Sequence, residues 1–88
     1  MSVLVTMQVG PVDAARFDAA TQELESRTYP GFRSRKVLHA EGHPEDVLVI
    51  EEWDSHDAFH AATEEVGDEF NSKAGTEGLE WRTGVWTS

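Results

Sequence analysis

Three side chains that can bind a metal ion or move a proton recur at helical spacing in the second half of the chain. His56, His60 and Glu64 follow one another at intervals of four residues, which places them on one face of a helix. Two histidines at this spacing can chelate a metal. Acidic neighbours, Asp57 and Glu65, favour a solvated surface instead, so we predict no metal site. His60 is kept as a candidate general base that could deprotonate a phenol.

Aromatic side chains form a second group of candidates. Trp53 ends a run of β-forming residues, Val47–Ile50, and Ser55 can cap a helix that begins directly afterwards. A tryptophan at this junction can form the wall of a site for a planar ligand, or donate its indole N–H to a bound carbonyl. Packing of the strand against the helix is the alternative. We predict that the same cleft is lined by Met7, Phe32, Phe59, Phe70 and Trp81.

Basic residues precede the acids of the next predicted strand. Arg33, Arg35 and Lys36 can pair across a hairpin with Glu51 and Glu52, as opposite charges do on neighbouring strands. This structural pairing is the favoured interpretation. Binding of an anionic substrate is the alternative.

Composition narrows the classes of partner. The 88 residues carry a formal net charge of −10, and no Lys or Arg lies between Val37 and Ser72. This argues against nucleic acids and anionic membrane surfaces as partners. The chain has no cysteine, and it has neither an apolar run of membrane-spanning length nor an apolar N-terminal leader. We therefore expect one domain, residues 1–88, in a soluble and cytoplasmic protein.

Periodicity predicts the elements that would position these residues. Alternating apolar residues predict a first strand, and apolar residues at intervals of three and four predict a helix capped by Asp13. Gly31 can take a positive φ after Pro30, and Gly67 is expected to end or kink the second helix. The predicted strands are residues 3–9, 32–40, 47–53 and 79–86; the predicted helices follow Asp13 and Ser55.

The order of these elements indicates an α+β fold. A β-α-β-β-α-β chain builds a ferredoxin-like domain with a four-stranded antiparallel sheet and two helices on one face. The uncovered face would carry Leu4, Leu48, Ile50 and Trp86, which together are too apolar to stay in water. We therefore predict a homodimer in which two sheets face each other.

Two short motifs carry a resemblance to a known family. Pro30-Gly31-Phe32 and, about twenty residues later, Trp53-Asp54-Ser55 followed by Asp57-Ala58-Phe59 resemble the antibiotic biosynthesis monooxygenase-like group of the dimeric α+β barrel superfamily. The resemblance implies a dimeric α+β barrel with a cleft for a small aromatic ligand between sheet and helices. It also implies a monooxygenase that needs no cofactor and oxidises a polyketide-like phenol or quinol with molecular oxygen.

Other activities of the same superfamily are the alternatives. The haem-degrading relatives carry a tryptophan and a histidine on the second helix, where this chain has Ala61, Ala62 and Thr63, so haem degradation is not expected. An isomerase or cyclase, and a non-catalytic binding or structural domain, stay open. The polarity of the side chains that line the cleft would distinguish a catalytic domain from a passive binding domain. A buried His, Asn or Arg beside Trp53 would favour catalysis, and a purely apolar lining would favour passive binding.

Overall fold

Six elements follow one another in the order β-α-β-β-α-β in the computed structural model, which describes residues 2–88. They are β1 (Val3–Val9), α1 (Ala14–Glu25), β2 (Phe32–Ala40), β3 (His43–Trp53), α2 (His56–Ala74) and β4 (Arg82–Trp86). The strands pair antiparallel in the order β2-β3-β1-β4. The predicted ferredoxin-like α+β fold is confirmed.

Both helices begin at the predicted caps. The side chain of Asp13 accepts a hydrogen bond from the backbone N–H of Arg16 at 3.1 Å, and Ser55 does the same for Ala58 at 3.1 Å. Each bond satisfies one of the backbone donors that a helix leaves free at its start. The second cap fixes the point at which the chain leaves β3 and enters α2, directly after Trp53.

The prediction that α2 ends at Gly67 is wrong. The helix runs without interruption to Ala74, because Phe70 and Ala74 continue the inward-facing stripe of Val66 beyond the glycine. Packing of this stripe outweighs the cost of about 1 kcal/mol that glycine adds to a helix interior.

Two strand boundaries also differ from the prediction. A loop was expected over residues 41–46, but β3 begins at His43, and Pro44 lies within an irregularity between the pairs His39–Val47 and Ala40–His43. Proline is tolerated in such an irregular stretch, where no ladder hydrogen bond requires its missing N–H. The last strand begins at Arg82 rather than Leu79, so Trp81 stands just before it.

Helices and sheet enclose two apolar clusters. One is built around Val9, Phe17 and Val49, and the other around Val5 and Trp53. Met7, halfway along β1, packs against both clusters. The core is therefore divided into two parts, and the space between them is available to a ligand.

Candidate active site

A cavity of about 370 Å³ lies between the helix-facing side of the sheet and the two helices. All four strand regions contribute to it, because alternate residues of a strand point to the same face. Its lining residues are Met7, Phe17, Thr21, Leu24, Tyr29, Arg35, Val49, Glu51, Trp53, Phe59, Ala62, Thr63, Val66, Gly67, Phe70, Asn71, Trp81 and Thr83. Pockets for small ligands range from about 300 to 1,000 Å³, so this one has room for one small aromatic molecule.

Aromatic rings form two walls of the cavity. Trp53 and Phe59 meet edge to face with ring centroids 5.9 Å apart. In the other part of the core, Phe17 meets Phe70 at 5.5 Å and Trp81 at 6.2 Å. The Trp53–Phe59 and Phe17–Phe70 contacts are edge to face, a geometry that favours fixed ring orientations. A flat apolar ligand would therefore find preformed surfaces between them.

A buried ion pair stands in the wall next to Trp53. Nε of Arg35 donates to Oε2 of Glu51 at 2.6 Å, and the indole N–H of Trp53 donates to Oε1 of the same carboxylate at 3.0 Å. The side chains of Arg35 and Glu51 are only 6% and 7% exposed. Such a pair adds little net stability, because removing both charges from water offsets their attraction. The pair places one guanidinium and one carboxylate in the wall of the cavity.

Other polar groups extend this side of the cavity. Tyr29, in the connection after α1, is buried and packs with Val3, Val5 and Trp53. Asn71 of α2 also lines the cavity, and its Oδ1 accepts a hydrogen bond from the hydroxyl of Thr76 at 2.7 Å. An Arg beside Trp53 and an Asn in the same cavity meet the criterion that favours catalysis over passive binding.

Five of the seven residues predicted for the site lie in the lining. Trp53, Met7, Phe59, Phe70 and Trp81 all line the cavity, although no function is thereby assigned to them. Because the bond to Glu51 uses the only donor of the indole, Trp53 is placed as a wall and not as a donor to a ligand carbonyl.

The other two predicted residues lie elsewhere. Phe32 packs behind Trp53, with ring centroids 5.2 Å apart, and is not among the lining residues. His60 follows the inward-facing Phe59 by one residue, which turns it toward solvent. Its side chain is 67% exposed and lies 3.1 Å from Glu64.

The sequence favoured a structural role for the buried ion pair that lines the cavity, as a salt bridge across the hairpin. The predicted pair of Arg35 with Glu51 is confirmed, and the structural role expected for it stays a prediction. The signal that places it in the core is strand parity: Arg35 shares a face with Val37, and Glu51 shares a face with Val49 and Trp53. Charged residues at these core-facing positions were the available clue.

Two further properties concern metals and membranes. Within residues 2–88, no three His, Cys, Asp or Glu side chains lie close enough together to hold a metal ion. No helix in the same range is long and apolar enough to cross a membrane.

Solved structures with this fold include an oxygenase. The chain is similar to SnoaB, a cofactor-independent oxygenase from Streptomyces nogalater: a mutant form matches with a TM-score of 0.77 and 21% identity over 99% of this chain and 92% of that one. A proposed antibiotic biosynthesis monooxygenase from Nitrosomonas europaea matches with a TM-score of 0.77 and 15% identity, over 98% and 89% of the two chains. A conserved protein from Methanosarcina mazei matches with a TM-score of 0.73 and 14% identity, over 100% and 93%. At these identities the likeness shows the fold alone.

Comparison of sequences identifies the family. No curated protein matches the chain. The family model "Antibiotic biosynthesis monooxygenase" matches residues 1–70. The match includes β1 to β3, most of α2 and the Arg35–Glu51 pair, whereas Asn71, Trp81 and Thr83 follow it. Since the match covers well over half of the sequence, this chain belongs to the antibiotic biosynthesis monooxygenase family.

Proposed function

We propose that this protein is a cofactor-independent monooxygenase that acts on a small aromatic phenol bound between the sheet and the helices. The observation that carries the proposal is the combination of aromatic walls with one buried carboxylate in a cavity of about 370 Å³. The oxygenase activity named for the structurally similar SnoaB supports the same class of reaction.

The reaction requires no external reductant. A phenol such as 1-naphthol loses its hydroxyl proton, and the negative charge spreads to the ring carbon opposite the oxygen. That carbon forms a bond to dioxygen, and the resulting hydroperoxide loses water to give a quinone. One oxygen atom enters the product and the other leaves as water, with all four electrons supplied by the substrate.

Each part of the cavity has a role in this scheme. Trp53 and Phe59 on one side, and Phe70 and Trp81 on the other, hold the ring and exclude water from the carbanion. Glu51 is the only carboxylate among the lining residues, and we assign it the phenolic proton. Each of its oxygens accepts one hydrogen bond and still has a lone pair free.

Oxygen consumption with 1-naphthol tests the proposal. We expect wild-type protein to consume one dioxygen for each naphthoquinone formed. Glu51→Gln keeps the shape of the side chain but cannot accept the proton, so kcat should fall about 10²- to 10⁴-fold. Trp53→Phe should also lower kcat, because it removes part of the wall and the indole bond to Glu51. Circular dichroism confirms that each variant is folded.

His60→Gln provides the matched comparison. If His60 is the base, this exposed substitution will lower the rate and Glu51→Gln will not. Absence of oxygen consumption across a panel of naphthols and larger phenols, combined with measurable binding, would favour the non-catalytic or isomerase alternatives. Wild-type activity in both Trp53→Phe and Trp53→Ala would refute the role given to Trp53.

We further propose that residues 1–88 act as one domain and that two copies form a dimer. The face of the sheet opposite the helices exposes 42% of Leu4, 39% of Leu38 and 61% of Trp86. Leu4 and Trp86 are direct neighbours on β1 and β4. A second copy of the same sheet would cover this apolar surface.

A further inference from the structure

Two buried polar atoms in the cavity lining have no hydrogen-bond partner within residues 2–88. They are the hydroxyl oxygen of Tyr29 and Nη1 of Arg35. Tyr29 is 8% exposed, the Arg35 side chain is 6% exposed, and both residues line the cavity. An unpaired buried donor costs about 1–3 kcal/mol, so two in one cavity are not expected from folding alone.

The guanidinium of Arg35 is held in place by its other contacts. Its Nε is bound by Glu51 at 2.6 Å, and its central carbon lies 4.8 Å from the centre of the Phe32 ring. A guanidinium is planar and rigid, so these two contacts also fix the direction of Nη1. The unpaired donor is therefore preorganised.

Tyr29 keeps its hydroxyl unpaired beside another cation. Arg27 lies close to this hydroxyl, but its guanidinium is bound by both carboxylate oxygens of Glu69, at 3.0 and 2.8 Å. A guanidinium can only donate hydrogen bonds, so Arg27 can approach the hydroxyl oxygen of Tyr29 but cannot accept its proton. The hydroxyl proton of Tyr29 therefore has no acceptor among residues 2–88.

The chemistry of the two donors restricts what they can bind. A guanidinium only donates hydrogen bonds, and a tyrosine hydroxyl can donate one. The partner of Arg35 must therefore be an acceptor, and the aromatic walls select a flat ring as the rest of the ligand. We infer that the cavity binds an aromatic molecule through ketone or phenolate oxygens, which accept hydrogen bonds from Nη1 of Arg35 and the hydroxyl of Tyr29.

This inference rests on the ligand site of the proposed function but not on its catalysis. It deepens that function, because deprotonation of a phenol places negative charge on the same oxygen. Arg35 and Tyr29 would then stabilise the charge as it develops, which is the most effective place for a fixed donor. The two residues would bind the substrate oxygen while Glu51 takes its proton.

Binding of three matched ring compounds tests the inference. Quenching of tryptophan fluorescence, with Trp53 and Trp81 in the walls, reports the affinity for 1,4-naphthoquinone, 1-naphthol and naphthalene. We expect the two oxygen-bearing compounds to bind at least about 10-fold more tightly than naphthalene. Tyr29→Phe should reduce this preference about 5-fold or more and leave naphthalene binding unchanged.

The stability of Tyr29→Phe separates a ligand role from a structural one. Because the hydroxyl has no partner in the protein, its removal should leave the urea midpoint unchanged or raise it. Ser26→Ala is the matched control, since the hydroxyl of Ser26 donates to the carbonyl of Glu23 at 2.6 Å and Ser26 does not line the cavity. That variant should keep the full preference for oxygen-bearing rings.

The outcomes distinguish the inference from the proposed function. Equal binding of all three compounds, or a Tyr29→Phe variant that loses stability but keeps the wild-type preference, overturns the inference. Oxygen consumption that persists in such a variant would leave the proposed function standing without it. Selective binding that depends on Tyr29, in the absence of oxygen consumption, would support the inference and reject catalysis.

Discussion

The imidazole of His39 is held by two hydrogen-bond acceptors, one at each nitrogen. Nδ1 lies 2.8 Å from the carbonyl oxygen of Pro44, and Nε2 lies 3.0 Å from Oδ1 of Asp18. Only the protonated ring can donate to both. The bond to Pro44, and next the bond to Asp18, therefore raise the pKa of His39 above its usual value.

The pKa of His39 gives the stability of the protein a predictable pH dependence. A group whose pKa is higher in the folded than in the unfolded state stabilises the folded protein. This contribution to the free energy of unfolding is fully present below the pKa of the unfolded state, about 6.5, and is lost as the pH rises through the pKa of the folded state. The free energy of unfolding of wild type relative to His39→Gln should thus be larger at about pH 5.5 than at about pH 8.5. Urea titrations at both pH values measure it. A difference that is constant or grows with pH would contradict the assignment.

Single residues also show what the sequence could and could not reveal. The aromatic lining was predictable because Trp53, Phe59, Phe70 and Trp81 are large, apolar and placed on inward faces by periodicity. The ion pair of Arg35 with Glu51 was predictable as a contact, but not as part of the site. Charge alone suggests exposure, and only the register of β2 on β3 shows that both side chains enter the core.

At the scale of elements, one corner explains why two separate motifs occur together. Gly31 has φ +82°, and a Cβ there would lie 2.7 Å from Cβ of Ala58 at the start of α2. Its carbonyl also accepts a hydrogen bond from the backbone N–H of Asp54 at 2.7 Å. The two motifs are therefore in direct contact in the folded protein, which explains why their spacing in the sequence indicates this fold.

The interior of α2 was less predictable, because helix propensity at Gly67 and tertiary packing act in opposite directions.

Gly67 should affect stability and binding in opposite ways. Gly67→Ala should stabilise α2 by about 0.5–1 kcal/mol, because alanine favours the helix and the added Cβ has only ordinary contact, 3.6 Å, with Thr63. Since Gly67 lines the cavity, the methyl group should also weaken the binding of 1,4-naphthoquinone. Urea unfolding and fluorescence titration measure the two effects.

Asp68→Ala, one residue further along and exposed, is the control for this prediction. It should alter helix propensity and leave ligand binding as in the wild type. If Gly67→Ala binds naphthoquinone as tightly as the wild type, the cavity does not extend to this turn of α2 in the ligand-bound protein.

At the scale of the whole molecule, the thin core and the uncovered sheet have a common consequence. An 88-residue chain buries only about 60–65% of its unfolded surface, and here a cavity divides what is buried. The stability that a larger core would supply can come from covering the sheet face that carries Leu4, Leu38 and Trp86.

A charged side chain introduced into this face should dissociate the proposed dimer. Light scattering at micromolar concentration should give about twice the 9.8 kDa of one chain. Leu38→Glu combined with Trp86→Ser should shift the mass toward the monomer, because a buried carboxylate without a partner opposes association. Ala61→Glu adds the same charge at an exposed position of α2, on the other side of the molecule, and should leave the mass unchanged. A wild-type mass of one chain would show that the apolar face is not a dimer interface, and an unchanged mass in the double variant would place the interface elsewhere.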